Sequence, residues 1–359
     1  MSAYASGPNG SAPTGEPPTA RLPGSVTRRG FIQAGSAVAV AGAITACSRG
    51  DDVKVRPEGV PLSAYTKKTT TDEVLAGIDL SGKTVLVTGA TSGLGLESMR
   101  ALAARGASVI GTGRTLAKAR EACASVGARC TPLECELESL DSVRACADAV
   151  RALGVPLDVL MLNAGIMSLP KLEQVRGLEK QFAVNHLGHF LLAHRLVEQV
   201  KAAPQGRVVT LSSSAYKWAP PAGIEFDNLS GEREYDGNKA YGIAKTANGL
   251  FSIELARRLA GTNATANSVN PGAANTNLMR QLPAWQRNLF TPIAKFLVKS
   301  VEAGASTQCY VATAPALARV SGYYFEDCNP VVPAGQMTNA ALAQQLWAKS
   351  EELCAGYLA

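Results

Sequence analysis

The sequence predicts an α/β fold: a doubly wound parallel sheet with helices on both faces. Three observations carry this reading. From Leu80 onward, apolar runs of strand length alternate with helical stretches; several of those runs are apolar throughout; and the first leads straight into a glycine-rich turn that opens a helix. A strand apolar at every position is buried on both faces, and strand–helix alternation is how a chain builds parallel pairs. Composition excludes other classes. Lys+Arg exceed Asp+Glu by 35 − 29 = 6 and are scattered, which leaves no basic groove for nucleic acid. Cys-x-x-Cys is absent, against a zinc ribbon or redox motif, and so is the Gly-x-Ser-x-Gly elbow of one hydrolase class.

The elements follow in order. Residues 1–26 are rich in Ser, Gly, Pro and Ala without a hydrophobic period, which predicts disorder. Arg28-Arg29 precede Phe31-Ile32 and an Ala/Gly/Val run from Ala34 to Ala46, followed by Cys47. The run is too short to span a bilayer, where about 20 residues are needed. The order resembles a twin-arginine export signal ending in a lipobox, which implies export and a lipid on Cys47 at a bacterial membrane surface. Residues 1–47 are therefore read as a signal segment, 48–79 as a tether, and 80–359 as one domain. In that domain, strands are expected at 83–88, 107–112, 128–133, 157–162, 207–211 and 264–269. Helices are expected at 94–105, 116–126, 139–153 and 241–259.

The first strand runs into Thr88-Gly89-Ala90-Thr91-Ser92-Gly93-Leu94-Gly95. A dinucleotide pyrophosphate needs N–H groups at a helix N-terminus and a chain without Cβ atoms in the way. Gly89 can make the turn, Gly93 the close approach and Gly95 the helix–strand contact; Ser92 and Leu94 lie in the same turn. The second strand ends in Thr112-Gly113-Arg114. A carboxylate for the ribose hydroxyls is missing there and a guanidinium follows, which favours NADP over NAD. Asn163-Ala164-Gly165 follow the fourth strand and can approach the cofactor through their backbone.

Tyr-x-x-x-Lys places a phenol and an ammonium one helical turn apart. A nearby cation favours phenolate, bringing an acid with pKa near 10 toward its working range. The spacing occurs twice, as Tyr235/Lys239 and Tyr241/Lys245. The first pair straddles Asp236-Gly237-Asn238, a turn sequence, so Tyr241 and Lys245 are chosen. Ser212-Ser213-Ser214 end the strand 207–211, at the edge of the ligand crevice, with Ser213 the best placed to hold a substrate oxygen. Asn185 sits in the helix after Asn163, where its side-chain amide can hold a relay water. His186 and His189 fall on that helix's apolar stripe with Phe182, Ala193, Leu196 and Val200, which reads as core packing and gives no metal site.

Taken together, these residues resemble the short-chain dehydrogenase/reductase family over about residues 80–354. TGATSGLG, Asn163-Ala164-Gly165, Asn185, Ser213 and Tyr241–Lys245 occur in that family's order, with Asn270-Pro271-Gly272 and Thr276 as its cofactor-closing loop. Asn185-His186-Leu187-Gly188-His189-Phe190, Ile224–Tyr235, Ser321–Cys328 and Leu346-Trp347 resemble its retinol dehydrogenase and WW-domain oxidoreductase branch. The resemblance implies a Rossmann fold and reversible hydride transfer between NADP(H) and an alcohol or carbonyl. It also implies a tetrad of Asn185, Ser213, Tyr241 and Lys245, and cofactor contacts at Leu137, Pro271 and Thr276. Glu136 stands where the family usually has Asp. The apolar segment Leu278–Val298 suggests a lid and an apolar small-molecule substrate. A homodimer is a further partner to test. The competing readings are a non-enzymatic NADP-binding sensor, against which the full tetrad speaks, and a sugar-nucleotide epimerase, whose Gly-x-x-Gly-x-x-Gly is absent.

Overall fold

The computed structural model describes residues 54–273 and 298–359. Arg28, Arg29, Cys47, the rest of the segment 1–53, and residues 274–297, which hold Thr276 and most of the expected lid, lie outside the described residues.

The strands are β1 Thr84–Val87, β2 Ser108–Gly113, β3 Cys130–Glu134, β4 Val159–Leu162, β5 Gln174–Val175, β6 Leu178–Glu179, β7 Arg207–Leu211, β8 Thr265–Asn270, β9 Tyr324–Glu326 and β10 Asn329–Val331. The main sheet has the order β10-β9-β8-β7-β4-β1-β2-β3, and every pair in it is parallel except β9 with β10. Successive side chains of a strand face opposite ways, and each face meets its own apolar layer. Val85, Val87, Val159 and Met161 pack on Met99 and Leu102 of α2 (Gly93–Ala104). Leu86, Leu160 and Leu162 pack on the other side, against Cys146 and Val150 of the helix Leu140–Ala152 and Leu191 and Leu196 of the helix Gly188–Ala202. Each such buried aliphatic side chain contributes about 1.5–3 kcal/mol. Pro132 lies in β3, the edge strand, where a missing N–H costs no ladder bond.

The chain winds outward in both directions from β1 and β4. Their C-terminal ends, Thr88 and Asn163, therefore open on one crevice, the place where doubly wound sheets bind ligands.

Residues 54–79 are not a tether. Lys54 bridges Glu326 and Asp327 at 3.0 Å each, the Val332 N–H donates to Val55 O at 2.8 Å, and the Ser63 N–H donates to Asn329 Oδ1 at 2.9 Å. The Tyr65 ring meets Tyr310 edge-on at 5.5 Å. A short helix, α1 (Thr71–Val74), is closed by a capping box between Thr70 and Glu73. Thr71 Oγ1 donates to Glu97 on α2, and Arg100 reaches Asp72 at 3.1 Å. Val74 and Leu75 are buried in the β1 layer. The segment makes its contacts one residue at a time, with partners far along the chain, so it has no period for a sequence reading to find. The β9–β10 hairpin it covers was also not expected. Its two-residue turn, Asp327-Cys328, has φ of 51° and 58°, the left-handed pair that a tight hairpin needs. Lys54 and Lys299 hold Asp327 there, and Cys328 N–H donates to Thr307 Oγ1 at 3.2 Å.

Leu75→Ala tests this docking. Leu75 is 0% exposed, so the truncation is expected to cost about 2–5 kcal/mol in urea unfolding. A tether residue would cost nothing measurable.

Candidate active site

β1 ends at Val87, and Thr88 leads into the glycine turn. Gly89 has φ of 64° and Gly93 of 56°, both in the left-handed region. A Cβ on Gly89 would sit 2.9 Å from the Ala164 Cα, and one on Gly95 would sit 2.5 Å from Asn163 Nδ2 and closer still to Gly89 O. The turn after β1 and the loop after β4 thus touch through bare backbone. Ser92 is the N-cap of α2, and its side chain makes no capping bond. The first-turn N–H groups of α2 have no partner within the helix and face the crevice end of the sheet.

Thr88 joins the two strand ends. Its hydroxyl accepts from the N–H of Asn163 at 2.9 Å and of Ala164 at 3.0 Å. Asn163 Nδ2 donates to Thr88 O at 2.9 Å, and Gln308 Nε2 donates to Asn163 Oδ1 at 3.2 Å. Gly165 follows beside Asn185: a Cβ there would lie 3.1 Å from Asn185 Oδ1 and 3.7 Å from Lys245 Nζ. The Asn185 side chain clamps the next residue, accepting from Ile166 N–H at 2.8 Å and donating to Ile166 O at 2.9 Å. These two bonds use one Nδ2 hydrogen and one Oδ1 lone pair, so the amide keeps one of each for the expected relay water. Asn185 lies in a π-helical turn, Ala183–Leu187, between the helices Lys180–Phe182 and Gly188–Ala202, the kind of irregularity that often marks a site.

The helix carrying Tyr241 spans Gly237–Arg258 and starts earlier than expected, because Asp236 caps it by accepting from Lys239 N–H at 2.7 Å. Gly242 lets this helix close on the segment Ser214–Trp218: a Cβ there would stand 2.5 Å from Ala219 N and 2.7 Å from Trp218 C. Tyr241 is buried, and its ring lies 6.2 Å from that of Trp218. Lys245 Nζ is 5.4 Å from the centre of the Tyr241 ring and donates to Leu211 O at 3.0 Å. Burial pulls the Lys245 ammonium down to about 8. Asn248 Nδ2 donates to the same Leu211 carbonyl at 2.8 Å, fixing the end of β7.

The serine register is separated by partners. Ser212 is buried and its hydroxyl donates to Lys245 O at 2.7 Å. Ser213 is partly exposed and its hydroxyl accepts from Ala215 N–H at 3.2 Å. Tyr235/Lys239 has structural partners. The Tyr235 hydroxyl donates to Leu169 O at 2.9 Å, and burial pushes its phenol up to about 12. Lys239 pairs with Glu225 at 3.0 Å and Glu234 at 3.4 Å.

Arg114 is exposed at the end of β2 and has no ion pair or hydrogen bond among the described residues. Leu137 is buried, and a Cβ on Gly188 would meet its carbonyl at 2.7 Å. Pro271 precedes Gly272, whose φ is 77° and whose N–H donates to Asn270 Oδ1 at 3.0 Å. Sequence reasoning missed Thr88 as a hub and Gln308 altogether; each is polar and buried, but nothing in its local sequence names its partner. His186 is core, as expected: it sits among Phe182, Phe190 and Phe251 and bonds Ser350 Oγ at 2.8 Å. His189 is buried too, but it binds two site residues.

The model of the family described as short chain dehydrogenase matches residues 83–287, more than half of the chain. The chain belongs to the short-chain dehydrogenase family. It is 40% identical over 297 residues to short-chain dehydrogenase TIC 32 A, chloroplastic, of Brassica napus, covering 79% of this chain and 92% of that one. It is 39% identical over 292 residues to human retinol dehydrogenase 14, covering 76% and 86%. A crystal structure of an uncharacterized protein from Mycobacterium paratuberculosis superposes with a TM-score of 0.65 at 32% identity, covering 80% of this chain and 98% of that one. The branch expected from the sequence, with retinol dehydrogenases and WW domain-containing oxidoreductases, is the one these matches represent. The protein is therefore an oxidoreductase acting on CH–OH groups of a small molecule with a nicotinamide cofactor. The glycine turn fits that cofactor, since side chains at Gly89 and Gly95 would push the turn off Ala164 and Asn163 and spoil the helix start that would face the pyrophosphate.

The same matches overturn the expected twin-arginine export and lipid anchoring at a bacterial membrane. The relatives are a chloroplastic plant protein and mammalian enzymes. A few small and basic residues resembling a signal weigh little against a match over most of the chain. Among the described residues, no helix is long and apolar enough to cross a membrane.

The buried imidazoles set an acid limit. Burial lowers His186 to about 3 and His189 to about 4, against 6.5 when unfolded. Between these values the unfolded chain binds more protons, so stability is full above about pH 6.5 and falls as pH drops toward 4. The expected slope is up to about 1.4 kcal/mol per pH unit for each histidine. Urea unfolding at a series of pH values should show it, and His186→Phe should remove about half of the slope.

Proposed function

We propose that this protein transfers hydride between NADP(H) and an alcohol or carbonyl group of an apolar small molecule, with Tyr241 as the acid–base. The observation that carries the reading is the Tyr241–Lys245 pair on one buried helix, with Nζ 5.4 Å from the ring and the Lys245 carbonyl bonded by Ser212, the neighbour of Ser213. The nicotinamide, when bound, supplies or accepts the hydride. The Tyr241 hydroxyl gives a proton to the substrate oxygen in reduction and takes it back in oxidation. Lys245, fixed by Leu211 O, holds a positive charge beside the Tyr241 ring below about pH 8 and favours its phenolate. The Ser213 hydroxyl donates to the substrate oxygen and holds it next to Tyr241. Asn185 keeps Ile166, and with it the loop Asn163–Gly165, at the wall of the site. The first turn of α2, with Ser92, Gly93, Leu94 and Gly95, would hold the pyrophosphate. Arg114, exposed at the end of β2 and without an ion pair among the described residues, would hold the extra phosphate of NADP. Leu137 and Pro271 would contact the cofactor's apolar parts.

Tyr241→Phe should lower turnover at least about a hundredfold, the loss of a general acid–base, while the dissociation constant for NADPH changes less than about twofold. Tyr235→Phe should keep near-normal turnover. Steady-state rates across alcohols and aldehydes, with cofactor fluorescence titration, read both; the reverse pattern would move the role to Tyr235.

Arg114→Ala tests the cofactor. Loss of a charge-assisted phosphate contact costs about 1.5–3 kcal/mol, roughly ten- to a hundredfold weaker NADPH binding with NADH nearly unchanged. Equal weakening of both cofactors would make Arg114 a bystander.

A further inference from the structure

His189 is fully buried, yet it is not inert packing. Its Nδ1 lies 3.0 Å from the backbone carbonyl of Asn185, and its Nε2 lies 2.9 Å from Thr88 Oγ1. These contacts fix the protons. A carbonyl only accepts, so Nδ1 carries a hydrogen and donates it to Asn185 O. The Thr88 hydroxyl already accepts from the N–H groups of Asn163 and Ala164, which uses both lone pairs. It has no acceptor capacity left for an Nε2–H. Its own proton must go outward, and Nε2 is nearer than Met161 O at 3.4 Å. The imidazole is therefore neutral and protonated at Nδ1, with Thr88 donating to Nε2.

These bonds close a ring. Thr88 holds Asn163 and Ala164; Gly165 follows; Ile166 is clamped by the Asn185 side chain; the Asn185 carbonyl is held by His189; and His189 returns to Thr88. The loop after β4 is enclosed on both sides, and the ring passes Lys245, whose Nζ lies 3.7 Å from where a Gly165 Cβ would stand. The ionisable groups that act on His189 among the described residues are Lys245, across on the Tyr241 helix, and His186, one turn back on its own helix. Burial does most to lower this imidazole's affinity for a proton; Lys245 lowers it further, and the bond to Asn185 O raises it.

We propose that His189 is a positioning residue: as a neutral, Nδ1-protonated imidazole it closes the ring that holds the loop Asn163–Ile166 and the π-turn of Asn185 against the end of β1. This rests on the assignment of that loop and of Asn185 to the reaction site. The ring also accounts for a histidine at a place where an apolar residue would pack as well. A leucine there would leave the Thr88 hydroxyl and the Asn185 carbonyl without these partners in a dry interior, which costs more than the packing returns.

Two measurements on the full chain test this. The first is imidazole nitrogen NMR of the labelled protein, assigned among three histidines. His189 should show the neutral Nδ1-protonated pattern, unchanged from about pH 5.5 to about pH 9, where an exposed imidazole would titrate. An Nε2-protonated ring, or one that titrates in that range, overturns the proposal. The second uses His189→Gln, which keeps an acceptor toward Thr88, and His189→Asn, which keeps a donor toward Asn185. Each is expected to lower kcat about tenfold with KM little changed, and to speed hydrogen exchange at Asn163, Ala164 and Ile166 about tenfold, the effect of one lost buried hydrogen bond. Exchange in β7 should stay as in the parent protein. A rise that is uniform over the sheet would make His189 merely structural, and no rise at the loop would mean that the ring does not hold it; either overturns the proposal. If Tyr241→Phe keeps full turnover while the NMR and exchange results stand, the catalytic reading fails and the ring survives.

Discussion

The site is organised by the contact between the turn after β1 and the loop after β4. Both strands end at the same level, and the two chains leave them so near each other that neither Gly89 nor Gly95 has room for a Cβ. Much of the site depends on that approach. It brings Asn163 and Ala164 within reach of the Thr88 hydroxyl, aims the first turn of α2 at the crevice, and leaves a slot bounded by main chain. Backbone is suited to hold a phosphate because its N–H groups are fixed in direction and carry no side-chain entropy to lose.

A second constraint follows from putting polar groups in a dry place. Thr88, Asn185, His189, Ser212, Lys245 and Asn248 are all buried. A polar group there is tolerated only when bonded. Each of these has a named partner, and most partners are backbone atoms at strand ends: Leu211 O takes both Lys245 and Asn248, and Ser212 holds Lys245 O. The bonds that satisfy burial thus also fix Lys245 beside the Tyr241 ring. Lys245 illustrates the balance. Its burial weakens its hold on a proton, but its ammonium still finds Leu211 O and lies beside the Tyr241 ring.

The segment Lys54–Leu80 extends the same logic to the far edge. It covers the β9–β10 hairpin through Lys54, Val55 and Ser63 and then braces α2 through Thr71 and Asp72. An uncovered edge strand would invite pairing with another chain. The brace on α2 reaches Glu97 and Arg100, one turn beyond the glycine cradle.

The sequence by itself determined what depends on local pattern. Doubly apolar runs such as Thr84–Val87 and Val159–Leu162 announced a sheet covered on both faces, and the glycines from Gly89 to Gly95 announced a tight approach, because these signals need only a residue's neighbours. The boundary between Tyr235 and Tyr241 was legible in part, since Asp236-Gly237 marks it; it turned out to be a helix cap rather than a break. Tertiary structure decided what depends on residues far apart in sequence. Only folding sets Ser350 against His186, Glu326 against Lys54, and Gln308 against Asn163. It also gave Asn185 a partner in Ile166 and made His189, one of two histidines on a single stripe, a link between Thr88 and Asn185. A stripe records which face of a helix is buried; it does not record which polar atoms wait on the other side, and here those atoms belong to strands that the chain had already left behind.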